Sequence, residues 1–201
     1  MLQAVPQRQE LLDFAIECGA SRAQWLRAST VVVEERFAAM CRSPRCPSYG
    51  LAPGCPPHVM SPARFCTVLA GYEWVLVFTR DVAAAMLAGN GRLEIAKNIH
   101  EVAAAVEVAA VSFGFSGAEG IAAGSCKELF CPEDQVCKVL QCDQPCRFPD
   151  KARPSVSGLG INVSALCAAL GWQLSWQSHE GGEIVDMALM LGMVLTNPNF
   201  S

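Results

Sequence analysis

The residues best suited to chemistry are thiols. The run Cys41-Arg-Ser-Pro-Arg-Cys46-Pro-Ser-Tyr-Gly-Leu-Ala-Pro-Gly-Cys55-Pro-Pro puts three of them within fifteen residues, with turn-forming Pro and Gly between. A second run, Gly124-Ser-Cys126-Lys-Glu-Leu-Phe-Cys131-Pro-Glu-Asp-Gln-Val-Cys137-Lys-Val-Leu-Gln-Cys142-Asp-Gln-Pro-Cys146-Arg, supplies five more. Pro47, Pro56 and Pro57 fix φ next to these thiols and remove backbone donors, as the Cys-Pro step does in bacterial ferredoxin sequences. Such spacing lets a backbone wrap a small object. Neither run contains the paired C-x2-C knuckles of a structural zinc site, and the chain holds only three histidines, His58, His100 and His179. Many thiolates with few imidazoles select iron–sulfur clusters, with zinc the second choice.

The compartment decides how the eleven cysteines of the chain are read. Met1 to Glu10 is polar, carries Arg8 and Glu10, and lacks the apolar stretch of a secretory signal, and no run reaches the roughly 18 apolar residues of a membrane span. A cytoplasmic protein without membrane contact is expected. Thiols there stay reduced, so metal binding rather than a disulfide framework is the expected use. Not every cysteine need be a ligand, because free Cys behaves as a small buried hydrophobe. Cys18 and Cys167 fall on the apolar faces of their helices and are expected in the core, and Cys142, in a polar turn beside Asp143, reads as a spare thiol. The second run then offers four ligands, and the first offers three. A fourth donor to the first would come from Cys66, from His58, from a second-run cysteine, or from nothing in the protein.

Other groups near the thiols could also take part in chemistry. Arg147, Lys151, Arg153 and Ser155 follow Cys146 closely, ahead of a possible helix start, where they could hold an anionic cofactor, neutralise a thiolate-bound cluster or simply pair with Asp150 or Glu133. Tyr49 could donate to a cluster sulfur or serve packing. His100, at the edge of an apolar helical stripe, reads as a satisfied interface histidine, and Asp186 within an apolar strand calls for a partner. A phosphate loop, a Ser-His-Asp order and a His-Glu-x-x-His pattern are all lacking. The net charge of −4 gives no footprint for nucleic acid.

The elements that must position these residues follow from periodicity. Gln7 to Cys18 is an amphipathic helix between Pro6 and Gly19. Thr30 to Phe37, with three valines, reads as a strand leading into the first run, and Tyr72 to Thr79 as a central strand. After the Gly89-Asn90-Gly91 turn, Leu93, Ala96, Ile99, Ala103, Val106, Ala110 and Phe113 recur at helical spacing, which makes one long helix packed on a sheet. Ala118 to Ala123 is a short strand delivering the chain to Cys126. Asn162 to Leu170 is a helix with Asn162 as N-cap and Gly171 as its stop, followed by strands over Trp172 to Ser178 and Ile184 to Leu195, the latter buried. With 52% hydrophobic and 17% charged residues, the expectation is a single domain over 1–201: an α/β (α+β) sandwich with helices on a mixed sheet and cysteine-rich segments at 41–57 and 124–149. The second segment shows no period and could not bury a core alone, so a metal would have to organise it.

The strings CPSYGLAPGCPP and AGSCKELFC, followed by CRFPDKARPSVSGLGINVSAL and GW, resemble a cysteine-rich predicted metal-binding family of unknown function common in anaerobic bacteria and archaea. The likeness runs from about Leu11 to Leu195. It implies a metal-binding, iron–sulfur type of protein in which Cys41, Cys46, Cys55, Cys126, Cys131, Cys137 and Cys146 fall on the family's cysteine pattern. Members vary in the spacing around Cys131 and Cys137, and no reaction comes with the resemblance.

Three functions are compatible with these residues. The first is an electron-transfer or redox accessory protein holding one or two clusters, [4Fe-4S] in type, and serving a redox partner protein. The second is an enzyme in which one cluster iron lacks a protein thiolate and acts as Lewis acid or sulfur acceptor. The third is a structural zinc module that binds partners.

Overall fold

A computed structural model of the chain describes residues 4–180 and 183–198. Its centre is a five-stranded sheet formed by β1 (Arg22–Arg27), β2 (Trp74–Ala83), β3 (Phe115–Ile121), β4 (Ser175–Glu180) and β5 (Glu183–Pro198). The strand order is β1-β2-β5-β3, and every one of these pairings is antiparallel. β5 serves two neighbours along one edge. Its first half pairs with β4 and its second half with β3, while β2 runs along its other edge.

Side-chain alternation divides the sheet's two faces between two cores, which is why β2 reads as a continuous apolar run. Val75 and Val77 point into one core with Leu191, Met193 and Leu195. Leu76 and Phe78 point into the other with Val194. The first core is closed by helices α3 (Pro62–Leu69) and α8 (Val163–Leu170), through Phe65, Leu69, Leu166 and Cys167. The second is closed by α1 (Ala4–Glu17) and by α5 (Gly91–Ser112), which follows the short helix α4 (Ala84–Ala88), through Leu11, Ala15, Ile99, Val102, Ala103 and Val106. The expected sandwich of helices on a sheet is therefore present, but the sheet, expected to be mixed, is antiparallel in every strand pairing. Gly192 faces Phe78 directly across the β2/β5 pairing, and a Cβ there would lie 2.6 Å from the ring's Cζ.

Several expected elements are where periodicity puts them. The long helix is α5, and α8 starts at the N-cap Asn162, whose side chain accepts from the Ala165 N–H at 2.9 Å. It stops at Gly171 in the left-handed conformation. Cys167 is buried at 1% exposure, while Cys18, just past α1, is half-buried against the second core.

Three expectations need correction. Thr30 to Phe37 is not a strand: Val31 enters the first core and Val32 is 42% exposed. Val33 makes one antiparallel bridge to Ile161, and the chain then turns into helix α2 (Glu35–Met40). The strand beside β2 is instead Arg22–Arg27. Asp186 is exposed and accepts from the Gln177 side chain at 3.1 Å, because the first half of β5 lies on an open part of the sheet. Cys66, one possible fourth donor to the first run, lies on α3, but the helix turns Phe65 and Leu69 inward and leaves Cys66 exposed.

Candidate metal centre

Both cysteine segments leave the sandwich at element ends and return to the same place. Cys41 caps the C-terminus of α2, and the chain continues through turns in which the Cys46 N–H donates to the Cys41 carbonyl and the Tyr49 N–H to that of Cys46. β3 ends at Ile121 and leads through Gly124 to the short helix α6 (Cys126–Phe130). The second segment continues through α7 (Lys138–Cys142), with Asp143 left-handed at its end, and returns by turns at Phe148 to Ala152 rather than by a helix.

Backbone hydrogen bonds hold the two segments against each other. Ser155 N–H donates to the Gly54 carbonyl at 2.9 Å, Ala122 N–H to that of Pro154 at 2.9 Å, and Val156 N–H to that of Ala122 at 3.0 Å. Gly54 sits so close to the returning chain that a Cβ would lie 3.0 Å from the Arg153 carbonyl oxygen. Only a glycine fits there without moving the backbone.

This arrangement gathers the seven cysteines of the family-like pattern into two groups. Cys126, Cys131, Cys137 and Cys146 line one cavity of about 330 Å³, with Phe130, Phe148, Pro149 and Pro154 among its other walls. Cys41, Cys46 and Cys55 line a second of about 130 Å³, together with Ser48, Tyr49, Arg92, Ser125, Glu128 and Ser155. Gly54 lines the first and Cys55 the second, and likewise Cys126 and Ser125, so the two cavities share a wall one residue thick. Cys66 and Cys167 line neither. His58 is exposed and borders a separate cavity of about 240 Å³ with Cys137. The side chain of Cys142, at the end of α7, lies outside the described residues.

The thiols oppose one another's ionisation. Burial, followed by the proximity of Cys55, Cys146, Cys137 and Cys131, pushes the Cys126 thiol up to about 12. Burial also raises Cys55, opposed by the Ser125 hydroxyl beside it and assisted by Cys41, Cys46 and Glu128. Cys41 is raised by burial and then by Cys46. Cys131 is raised by burial and Asp134, with Arg147 and Lys127 pulling the other way. Buried thiols crowded in this way become thiolates only if a cation joins them, and a bound metal deprotonates its thiol ligands outright. The donor set therefore fits a thiophilic metal group. The Phe148 N–H donates to the Cys146 sulfur at 3.4 Å, the type of hydrogen bond that tunes such a ligand. Among the described residues, no three Cys, His, Asp or Glu side chains converge on a point that a single ion could occupy.

The basic group after Cys146 disperses instead of forming one anion site. Arg147 pairs with Asp134 at 2.6 Å and Lys151 with Glu101 at 3.1 Å. Arg153 borders the larger cavity, but its guanidinium is spent elsewhere: Nε and Nη2 reach the Glu107 carboxylate at 2.8 and 3.0 Å, and Nη1 donates to the carbonyls of Pro149 and Ala152. Ser155 borders the smaller cavity, and its hydroxyl accepts from the Gly158 N–H at 3.3 Å. His100 is fully buried behind the larger cavity, accepts from the Arg153 N–H at 3.2 Å through Nδ1, and meets the Phe130 ring edge-on at 5.7 Å. Burial lowers its pKa to about 4. Glu128, Ser125 and Glu107 do not stand out in the sequence, although Ser125 and Glu128 lie inside the AGSCKELFC string itself.

Among the described residues, no helix is long and apolar enough to cross a membrane. Comparisons with curated proteins and with solved structures give no match. The model of the family described as "Predicted metal-binding protein (DUF2284)" matches residues 24–196, a span that contains both cysteine groups and all five strands but for the first two residues of β1 and the last two of β5, and the chain belongs to that family.

Proposed function

We propose that the second segment holds an iron–sulfur cluster, [4Fe-4S] in type, through Cys126, Cys131, Cys137 and Cys146, and that the protein passes electrons to a redox partner protein. The observation that carries this reading is the opening of these four thiols onto one cavity with two phenylalanine walls. Four thiolates around a space of that size suit a guest of several atoms. Structural zinc would instead draw four donors to about 2.3 Å from one point, and no such convergence exists among the described residues. Arg147 and Lys127, both beside Cys131, supply positive charge against the thiolates. Phe130 and Phe148, 5.8 Å apart, limit water at the site, and solvent exposure and hydrogen bonds to sulfur are the means by which a protein sets a cluster's potential. A cluster closed by four protein thiolates has no position for a substrate, which suits an electron carrier. Its rim of half-buried cysteines, Cys131, Cys137 and Cys146, would face the partner.

Protein purified without oxygen is expected to be brown and to contain iron and acid-labile sulfide, and Cys126→Ala or Cys146→Ala should strip them. Iron in Cys126→Ala equal to that of the wild type would sink the assignment. Stoichiometric zinc without sulfide would replace it with the structural zinc module.

A further inference from the structure

The cavity of the first segment has three thiols, and the donors considered for its fourth position from sequence lie elsewhere. Cys66 is exposed on α3, His58 borders a different space, and Cys126, although close to Cys55, lines the four-thiol cavity and not this one. One carboxylate does line it. Glu128 lies on the single turn of α6, three residues after Ser125, so both share a face that looks into the three-thiol cavity, while Cys126, Lys127 and Phe130 face the four-thiol one. Helix α6 is thus the partition between the two.

Glu128 is fixed from two sides. Its Oε1 accepts from Arg92 Nη2 at 3.0 Å and its Oε2 from the Ser48 hydroxyl at 3.4 Å, which leaves lone pairs on each oxygen. Ser125 is 3% exposed, and its hydroxyl has no oxygen or nitrogen partner; its neighbour in the cavity is the Cys55 sulfur. A buried hydroxyl carries a desolvation cost that donation to a metal-bound sulfur would relieve.

We propose that Cys41, Cys46 and Cys55 hold three corners of a second centre, that the Glu128 carboxylate occupies the fourth, and that Ser125 donates to the Cys55 sulfur. This rests on the iron–sulfur reading. A carboxylate is a harder and weaker donor to such a centre than a thiolate. The corner it holds is therefore the exchangeable one, where a small molecule with an oxygen or nitrogen donor can replace it and meet a Lewis acid, with Arg92 at hand for negative charge. The two centres divide the work: the four-thiolate one carries electrons, and the three-thiolate one binds the ligand.

The experiment reconstitutes the wild type, Glu128→Cys and Glu128→Gln with iron and sulfide under anaerobic conditions, then treats each with ferricyanide. Removing one electron from a [4Fe-4S]2+ cluster with a weakly held corner releases Fe2+ and leaves [3Fe-4S]+, while ferricyanide is reduced to ferrocyanide. The wild type should lose one iron per chain and gain the electron paramagnetic resonance signal of a three-iron cluster. Glu128→Cys should keep its iron and stay silent, and Glu128→Gln should lose iron several-fold faster than the wild type. Equal behaviour of the wild type and Glu128→Cys would overturn the assignment of Glu128 while leaving the iron–sulfur reading intact. A wild type that takes up no iron would overturn both.

Discussion

Removal of the Glu107 carboxylate should destabilise the protein through the loop that walls the larger cavity. Glu107, on α5, accepts two hydrogen bonds from Arg153 and a third from the Gly120 N–H of β3, so one side chain ties helix, sheet and the returning second segment together. The two charged side chains are only 9% and 25% exposed, in Arg153 and Glu107 respectively, so solvent screens the pair weakly. Glu107→Ala strands a guanidinium of low exposure, a situation that costs about 3–5 kcal/mol. The exposed Arg27–Glu73 pair, with side chains 55% and 47% exposed, is the internal control and should be worth about 0–1 kcal/mol. Urea unfolding followed by tryptophan fluorescence gives both values from the midpoints at constant m. A double-mutant cycle of Glu107→Ala with Arg153→Met isolates the pair, and the double variant should recover much of the loss because the stranded charge is gone. Agreement of Glu107→Ala and Glu73→Ala within about 0.5 kcal/mol, the scale of ordinary surface changes, would refute a buried, load-carrying pair.

Gly192→Ala should cost about 1–3 kcal/mol through overpacking against Phe78 and Ile99, visible as a lower unfolding midpoint with unchanged metal content. His100 has a folded pKa of about 4 against an ordinary value of 6.5, so the unfolded chain takes up the proton first. The stabilisation is complete above pH 6.5 and is lost as pH falls towards 4. Between those limits the wild type should lose about 3 kcal/mol that a His100→Gln variant does not lose, measured as the difference between their stability–pH curves. Cys66→Ala should leave iron content and cluster spectra as in the wild type, because its side chain lies exposed away from both cavities; loss of a cluster in that variant would contradict the placement.

Periodicity shows an element in the sequence when one side of it is buried by apolar contacts. α5 and α8 are of that kind, while β2 and the tail strand β5 over Leu191 to Leu195 are buried on both faces and show instead as apolar runs. β1 escapes because Arg-Ala-Gln-Trp-Leu-Arg has no apolar alternation: Arg22 lies over the rings of Trp172 and Trp176, at 4.9 and 5.1 Å, and Arg27 over Trp74 at 4.0 Å. Stacked cations take the place of hydrophobes there, and nothing local reveals the partner rings. The valines at 31 to 33 mislead for the opposite reason, since β propensity is present but only Val31 is buried in the core, Val33 packing at its edge and Val32 lying exposed. The candidate site follows the same rule. The thiols are legible as types and spacings, and their division into four and three is consistent with the two segments. The roles of Arg153 and Glu128 are not legible, because their partners Glu107, Arg92 and Ser48 come from distant turns and helices and are chosen by the fold.

The stitch from Gly54 to Ser155 also sets an order of events at the ribosome. Cys41, Cys46 and Cys55 are made about 100 residues before the chain that closes over them, and at about 5–20 residues per second the interval is about 5 to 20 s. Throughout it the three thiols stand as an open half-shell, free to take up or to lose whatever metal the cell offers. Only when Ser155 arrives, carrying the second segment with it, does the partition of α6 come between the two cavities. On the proposed reading, a metal captured in that interval would meet Cys41, Cys46 and Cys55 before the carboxylate of Glu128 has joined them.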